Sequence, residues 1–237
     1  MNQLALDRFK ILSGSTLKVL ACVSMFIDHF AKIYLIKYDW ARMTLFSLVG
    51  KKFSIVYLMA MFGRFAFPIF AFLLVMGFAH TRDRKRYGLN LFLFALLSEI
   101  PFNLMFNNAF AFPKQNVMFT LLLGYIALCC LDYFKGKPLI SVFSIVLLYV
   151  MTRLIKADYG ASGYLFILLL YGLRKEKAIQ SLACSMLLSM KFMVFLSFIP
   201  INMYNGERGF IKTRFSKYCF YAFYPLHMLF IYLLAKC

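Results

Sequence analysis

Apolar positions along the chain form long solid runs, separated by short stretches that carry most of the charges. A helix needs about 20 apolar residues to cross a bilayer. The runs therefore predict an all-α, polytopic integral membrane protein with about eight transmembrane helices, over residues 17–36, 62–80, 88–107, 116–133, 138–155, 161–173, 178–198 and 218–235. Solid runs without period-two alternation argue against a transmembrane β-barrel.

Two stretches depart from this pattern. Residues 38–61 mix aromatic residues with Arg42, Lys51 and Lys52, which predicts either a segment along the membrane interface or an extension of the second span. Residues 200–217 form the longest polar stretch. Since neither is long enough to build a soluble domain, residues 1–237 are expected to form a single transmembrane domain.

The composition supports a membrane protein and restricts what its charge means. Of the 237 residues, 63% are hydrophobic and only 15% are charged, too few to cover a soluble surface. Lys and Arg number 27 against nine acids. These bases lie in short loops, where lipid head groups and the positive-inside rule account for them, so nucleic acid is not an expected partner.

The basic loops suggest an orientation. With eight spans, the clusters 82–86, 135–137 and 174–177 fall on one side, which should be cytoplasmic together with both termini. The same arrangement puts the bases of 208–217 on the opposite side.

Ionisable residues inside a span are candidates for function, because a bilayer makes them costly. Lys18 and His29 share one face of the first span, about 16 Å apart along its axis. They are either a functional pair or a snorkelling lysine and a histidine that bonds another helix. Asp28 points about 100° away from His29, so the two are not expected to form a dyad, whereas Lys32 lies one turn from Asp28.

Three further residues are candidates. Arg64 precedes a proline-containing run and is either a guanidinium inside the bundle or a snorkelling anchor. Glu99 lies close to Pro101, which predicts a broken helix along a polar cavity, with a partner for Glu99 on another span or a protonated carboxyl. His227 follows Pro225, which is likewise expected to break the last span. We expect Glu99, His227 and His29 to line one internal cavity.

Several classes of chemistry find no support in the sequence. The six cysteines form no CxxC pair and show no metal-like spacing with the histidines, so no metal site is expected. Walker A, GxGxxG, HExxH and GxSxG motifs are missing, which leaves ATP hydrolysis, dinucleotide chemistry and zinc proteolysis unsupported.

Short motifs from one end of the chain to the other resemble the TraX family. They are Asp28-His29, GRFAFPIFAFLL (63–74), Gly77-Phe78 with Thr81, SEIPFN (98–103), NVMFTLLLG (116–124), DYG (158–160), YNGERG (204–209) and FYAFYPLH (220–227). The family is named for the protein that acetylates the amino terminus of F-type pilin, and it is distantly similar to the acyltransferase-3 group. That group carries Arg or Lys, ten residues and then His in its first helix, a spacing that Lys18 and His29 match.

The resemblance implies a multi-pass acyltransferase of the bacterial cytoplasmic membrane, in contact with membrane lipids. Its donor would be acetyl-CoA or another acyl-CoA, and its acceptor an amine or hydroxyl of a pilin-like peptide or a glycan. His29 would be the general base, with Asp28, Glu99 and His227 as further catalytic residues and Lys18 and Arg64 holding the phosphates of the donor. The alternatives are a transporter or a non-catalytic subunit of a conjugation or secretion machine.

Overall fold

The computed structural model describes residues 9–110, 113–189 and 191–237, and this part of the chain is all-α apart from one small hairpin. The hairpin pairs β1 (Phe46–Leu48) antiparallel with β2 (Lys51–Phe53), with Ser47 opposite Lys52. The α-helices are α1 (Gly14–Ile33), α2 (Asp39–Arg42), α3 (Ile55–Phe62), α4 (Ala66–His80), α5 (Arg84–Asn107), α6 (Val117–Tyr133), α7 (Pro138–Leu154), α8 (Gly160–Gly172), α9 (Lys177–Leu187), α10 (Lys191–Asn202) and α11 (Arg214–Lys236).

Polar residues just outside the apolar runs fix where several helices begin. The hydroxyl of Ser13 accepts the backbone N–H of Thr16 at the start of α1, and Ser54 does the same at α3. Asn116 caps α6 and Thr213 caps α11 through their side-chain oxygens. Each cap satisfies a backbone donor that the first turn of a helix leaves free.

Four helical segments of the described chain are long and apolar enough to cross a membrane: Gly14–Lys37, Ile55–His80, Arg84–Asn107 and Phe215–Lys236. The other apolar helices are shorter, and the eight full spans expected from the sequence are not reached among the described residues. The second span starts earlier than expected, because α3 and a 3-10 turn at Gly63–Phe65 continue into α4. The end of the stretch 38–61 thus extends the second span, which was one of its two expected roles, and the exposed hairpin precedes this extension.

Loops gather at two ends of the helical bundle. At the end where α1 begins, here the proximal face, Gly14 donates its N–H to the carbonyl of Glu207 at 2.8 Å. At the other end, the distal face, the last turn of α11 meets the segment after α1, since the Lys37 ammonium donates to the carbonyl of Ala235. The helix α1 therefore begins and α11 ends at opposite faces of the bundle. Residues 1–8 lie outside the described part of the chain, so the expectation that both termini are cytoplasmic stays a prediction.

A helical hairpin takes the place of the seventh span that the sequence predicted. The expected span 178–198 is divided into α9 and α10, of 11 and 12 residues, and each is too short to cross a bilayer. They run antiparallel, because Asn202 at the end of α10 contacts the hydroxyl of Ser181 near the start of α9 at 3.4 Å. This pair of helices therefore starts and ends at the proximal face. The bases of 208–217, which follow the pair, lie at the same face as the other basic loops.

The two prolines that were expected to break helices do not break them. The helix α5 continues through Pro101, and α11 continues through Pro225. A proline within a helix removes one backbone hydrogen bond and bends the axis, but the turns on each side keep their own bonds. The expected broken helices at these positions are therefore wrong.

Candidate active site

Two imidazoles meet in the bundle where α1 and α11 pack together. The Nδ1 atom of His29 lies 2.8 Å from Nε2 of His227, and the ring planes are 9° from parallel with centroids 5.1 Å apart. His227 is 4% exposed. Phe106 from α5 places its ring at an edge to His29, with centroids 5.5 Å apart. Helices that are first, fifth and last in the sequence thus enclose one polar contact.

The surroundings of the pair assign its protons. Nδ1 of His227 lies 2.9 Å from the carbonyl oxygen of Phe223. A carbonyl only accepts, so this nitrogen carries the proton, and Nε2 of a neutral His227 must be an acceptor. Nδ1 of His29 therefore donates to it. In the neutral pair, Nε2 of His29 is left with a free lone pair, which is the state that a general base requires.

A carboxylate stands near that lone pair. Asp28 forms an ion pair of 2.6 Å with Lys32, as the one-turn spacing predicted. Its other oxygen accepts from the same ammonium at 2.7 Å and lies 4.0 Å from Nε2 of His29, which is beyond a hydrogen bond but close for a charge. The two side chains thus approach more closely than the 100° between their helical positions indicated.

A glycine allows the second span to approach Asp28. A Cβ built at Gly63 would collide with Cβ of Asp28, so no larger residue fits without movement of one helix. One turn earlier on α1, the hydroxyl of Ser24 donates to the carbonyl of Phe62 at 2.8 Å. The close contact sets Arg64, the next residue along the chain, at the level of Asp28.

Arg64 points into the bundle rather than towards the lipid. Its side chain lies within electrostatic range of Tyr159 and of Asp28. Its Nε atom is buried and makes no hydrogen bond within the part of the chain that the structure describes. Tyr159 is held by stacking on Phe67, with ring centroids 4.0 Å apart. A snorkelling anchor would not have such partners.

Glu99 has a partner on another helix, which the sequence allowed for, but this partner is not a base. Its Oε1 atom accepts the backbone N–H of Asn116 at 2.9 Å and also the side-chain amide of that residue. The same amide donates to the carbonyl of Ala95 at 2.8 Å. The carboxylate therefore lies at the N-terminus of α6, where the helix dipole favours a negative charge, and it joins α5 to α6.

Tyr224 connects this carboxylate with the imidazoles. The buried ring of Tyr224 lies 5.8 Å from that of His227, and it is within electrostatic range of Glu99. The structure thus brings Glu99, His227 and His29 to one region, as a packed polar layer. The two cavities described below open at the faces of the bundle and are not lined by these three residues.

Lys18 lies near a basic cavity at the proximal face, although it is not one of the residues that line it. The cavity has a volume of about 240 Å³ and is lined by Thr81, Asp83, Arg86, Tyr87, Arg208, Lys212, Thr213, Lys217 and Tyr218. Lys18 lies within electrostatic range of Arg208 and Lys217. The carboxylate of Asp83 is already used, because it caps the N–H of Arg86 at 2.9 Å. The cavity therefore presents a strongly positive wall.

The structure does not bring Lys18 and Arg64 together. Arg64 lies at the level of Asp28, which is about 15 Å along α1 from Lys18. The two cations that the resemblance assigned to one group of phosphates therefore occupy different depths of the bundle. Lys18 has Arg208 and Lys217 as neighbours, and these two were missed because the expected count of spans put them on the other side.

The fold and the histidine pair define a helical membrane protein with a polar site between its first and last spans. A family model described as TraX protein matches residues 13–235, and the chain belongs to this family. The chain is also 27% identical over 247 residues to a probable fimbrial assembly protein FimC, serogroup H1, of Dichelobacter nodosus, a match that covers 91% of this chain and 93% of the relative. No solved structure gives a significant match.

Proposed function

We propose that this protein is an acyltransferase of the bacterial cytoplasmic membrane that moves an acyl group, most simply acetyl, from acyl-CoA to an amine of a pilin-like peptide. The observation that carries the proposal is the histidine pair, whose hydrogen bonds leave Nε2 of His29 unprotonated. The family and the relative named as a fimbrial assembly protein support a role at a pilus.

The chemistry assigned to His29 is removal of one proton. The neutral amine attacks the thioester carbonyl carbon, a C–N bond forms, and the C–S bond breaks as the thiolate of coenzyme A leaves. Nε2 of His29 takes the proton that the nitrogen loses and then passes it to the thiolate. His227 orients the ring through Nδ1, and Asp28 at 4.0 Å stabilises the imidazolium that forms in between.

The proximal cavity supports binding of the donor. Coenzyme A carries phosphates, and Arg86, Arg208 and Lys217 line the cavity beside Lys18. From Lys18 to His29 the axis of α1 rises about 16 Å. An extended pantetheine arm has a comparable length, so a head group bound at the surface would deliver its thioester to the imidazole.

The distribution of bases supports a cytoplasmic proximal face. The clusters 82–86, 135–137, 174–177 and 208–217 all belong to loops at that end of the bundle, once α9 and α10 form a hairpin. Cytoplasmic loops carry an excess of Lys and Arg. The donor would then bind from the compartment where acyl-CoA is made.

The direct test is transfer by the purified protein in lipid nanodiscs. Labelled acetyl-CoA and a peptide with a free amino terminus are the substrates, and mass spectrometry locates the acetyl group. His29→Ala should lower kcat by about 10²- to 10⁴-fold, the usual contribution of a general base, with insertion unchanged. Near wild-type activity of this variant would remove His29 from the mechanism.

A non-catalytic subunit of the pilus assembly machine is the second candidate, favoured by the name of the relative. Such a subunit should bind pilin without needing acyl-CoA. If wild-type protein neither binds acyl-CoA nor acetylates peptides, but His29→Ala abolishes piliation, the pair would be part of a binding surface rather than an active site.

A further inference from the structure

A second cavity opens at the distal face, opposite the proposed donor site. It has a volume of about 420 Å³ and lies between the loop before α6, the end of α7 and the start of α8, lined by Pro113, Lys114, Thr152, Arg153, Lys156, Ala157, Tyr159, Gly160, Ala161 and Ser162. Backbone hydrogen bonds hold these segments together. The N–H of Gln115 donates to the carbonyl of Lys156 at 3.2 Å, and the carbonyl of Gln115 accepts the N–H of Asp158 at 2.8 Å.

The side chains around this cavity carry a net positive charge. Lys114 is paired with Asp158 at 2.7 Å. Arg153 and Lys156 line the same space, are exposed, and have no acidic partner within the described ranges. The start of α8 lines the same region, since Gly160, Ala161 and Ser162 are among the lining residues. The side chains that line the cavity thus favour a ligand with negative charge.

A series of polar side chains leads from this cavity towards the histidines. Tyr159 lines the cavity and lies within electrostatic range of Arg64. Arg64 lies within electrostatic range of Asp28, which stands 4.0 Å from Nε2 of His29. Tyr159, Arg64 and Asp28 thus form a polar series between the distal cavity and the base, whereas Lys18, near the proximal cavity, lies about 16 Å from His29 along α1.

We propose that the distal cavity holds an acidic group of the peptide acceptor, a carboxylate close to the amine that is acylated. This inference rests on the function proposed above, in which the donor occupies the proximal face. Arg153 and Lys156 bind the carboxylate, and the amine extends past Tyr159 towards His29. The acceptor and the donor thus approach the base from opposite faces of the membrane.

The test uses two synthetic peptides with a free amino terminus, one with two glutamates next to it and one with glutamines in their place. The variant Arg153→Gln/Lys156→Gln is compared with wild type in nanodiscs. We expect its KM for the glutamate peptide to rise about tenfold, with KM for acetyl-CoA unchanged and little effect on the glutamine peptide. Lys135→Gln/Lys137→Gln, which removes two exposed charges of a proximal loop, is the matched control and should leave both peptides unaffected.

Other outcomes would overturn the proposal. An unchanged KM for the glutamate peptide, or an equal rise for both peptides, would show that the cavity does not recognise the carboxylate. Competition by a phosphorylated glycan and not by the glutamate peptide would assign the cavity to a glycan.

Measurements of peptide binding test this proposal independently of the proposed function. Fluorescence anisotropy of the labelled peptides on nanodiscs measures affinity without turnover. If wild-type protein transfers no acetyl group, a loss of glutamate-peptide affinity in the double variant would still support the site, and equal affinities would reject it.

Discussion

The variant His227→Ala tests the proton assignment in the histidine pair. It removes the acceptor of the 2.8 Å bond from His29 and leaves the Nδ1 proton of His29 without a partner. A hydrogen bond contributes about 0.5–1.5 kcal/mol, and an orphaned buried donor costs about 1–3 kcal/mol. If the lost hydrogen bond only orients His29, its free energy should appear in the activation barrier. The value of kcat should then fall about two- to tenfold, because about 1.4 kcal/mol corresponds to a factor of ten in rate. This is far less than the loss expected for His29→Ala.

Kinetics and thermal unfolding of two further variants separate orientation from catalysis. His227→Gln offers an amide oxygen near the position of Nε2 and should recover most of kcat. His80→Ala is the control, because His80 makes a similar bond to a carbonyl, that of Met76 at 2.8 Å, but lies exposed at the proximal face. A loss in His227→Ala as large as that in His29→Ala would refute the assignment, since His227 would then itself accept the proton. So would wild-type kcat in His227→Ala.

Two other predictions concern the supports of the site. Gly63→Ala should lower both kcat and the melting temperature, because its Cβ would displace Asp28. Gly172→Ala is the control and should change neither, because a Cβ at Gly172 would have nothing within 4 Å. Activity and thermal unfolding of the two variants are compared, and equal behaviour would contradict the close approach of Gly63 to Asp28. Glu99→Gln should keep most of kcat and lose about 0.3–1 kcal/mol of stability, because the amide still accepts from Asn116 but the charge at the helix N-terminus is gone. A loss of activity of 10²-fold or more in Glu99→Gln would make this carboxylate catalytic instead.

The local parts of the site followed from the sequence. The spacing of Lys18 and His29 on one helix, and of Asp28 and Lys32 one turn apart, depends only on helical geometry and is found in the structure. The apolar runs likewise located the four helices that are long enough to cross a membrane, because a run of such length has few alternatives to a membrane helix.

Contacts between distant segments were harder to predict. His29 and His227 are 198 positions apart, and no periodicity within either helix indicates that their rings meet. The pairing of Glu99 with the start of α6 and of Arg64 with Tyr159 depends on helix packing in the same way. The residue types gave the candidates and the expectation that Glu99, His227 and His29 lie together, whereas the atoms that meet required the fold.

The largest error came from one apolar run. Residues 178–198 have the length and hydrophobicity of a span, but Lys191 lies within the run, and the chain turns just before it. A turn in the middle of an apolar stretch changes the side of every loop that follows. The bases 208–217 were therefore placed opposite the cluster 82–86, and the proximal cavity that both line was missed.

The depth of the histidine pair is the link between the two proposed binding sites. A thioester that reaches His29 from the proximal face is covered by the packed first, fifth and last helices, and Phe106 closes one edge of the ring. Water has little access to such a site, so the acyl group would be transferred only when an amine arrives past Tyr159 and Arg64. An enzyme with donor and acceptor on opposite faces needs this separation, because an open passage between the two cavities would favour hydrolysis of acyl-CoA and leakage of ions across the membrane.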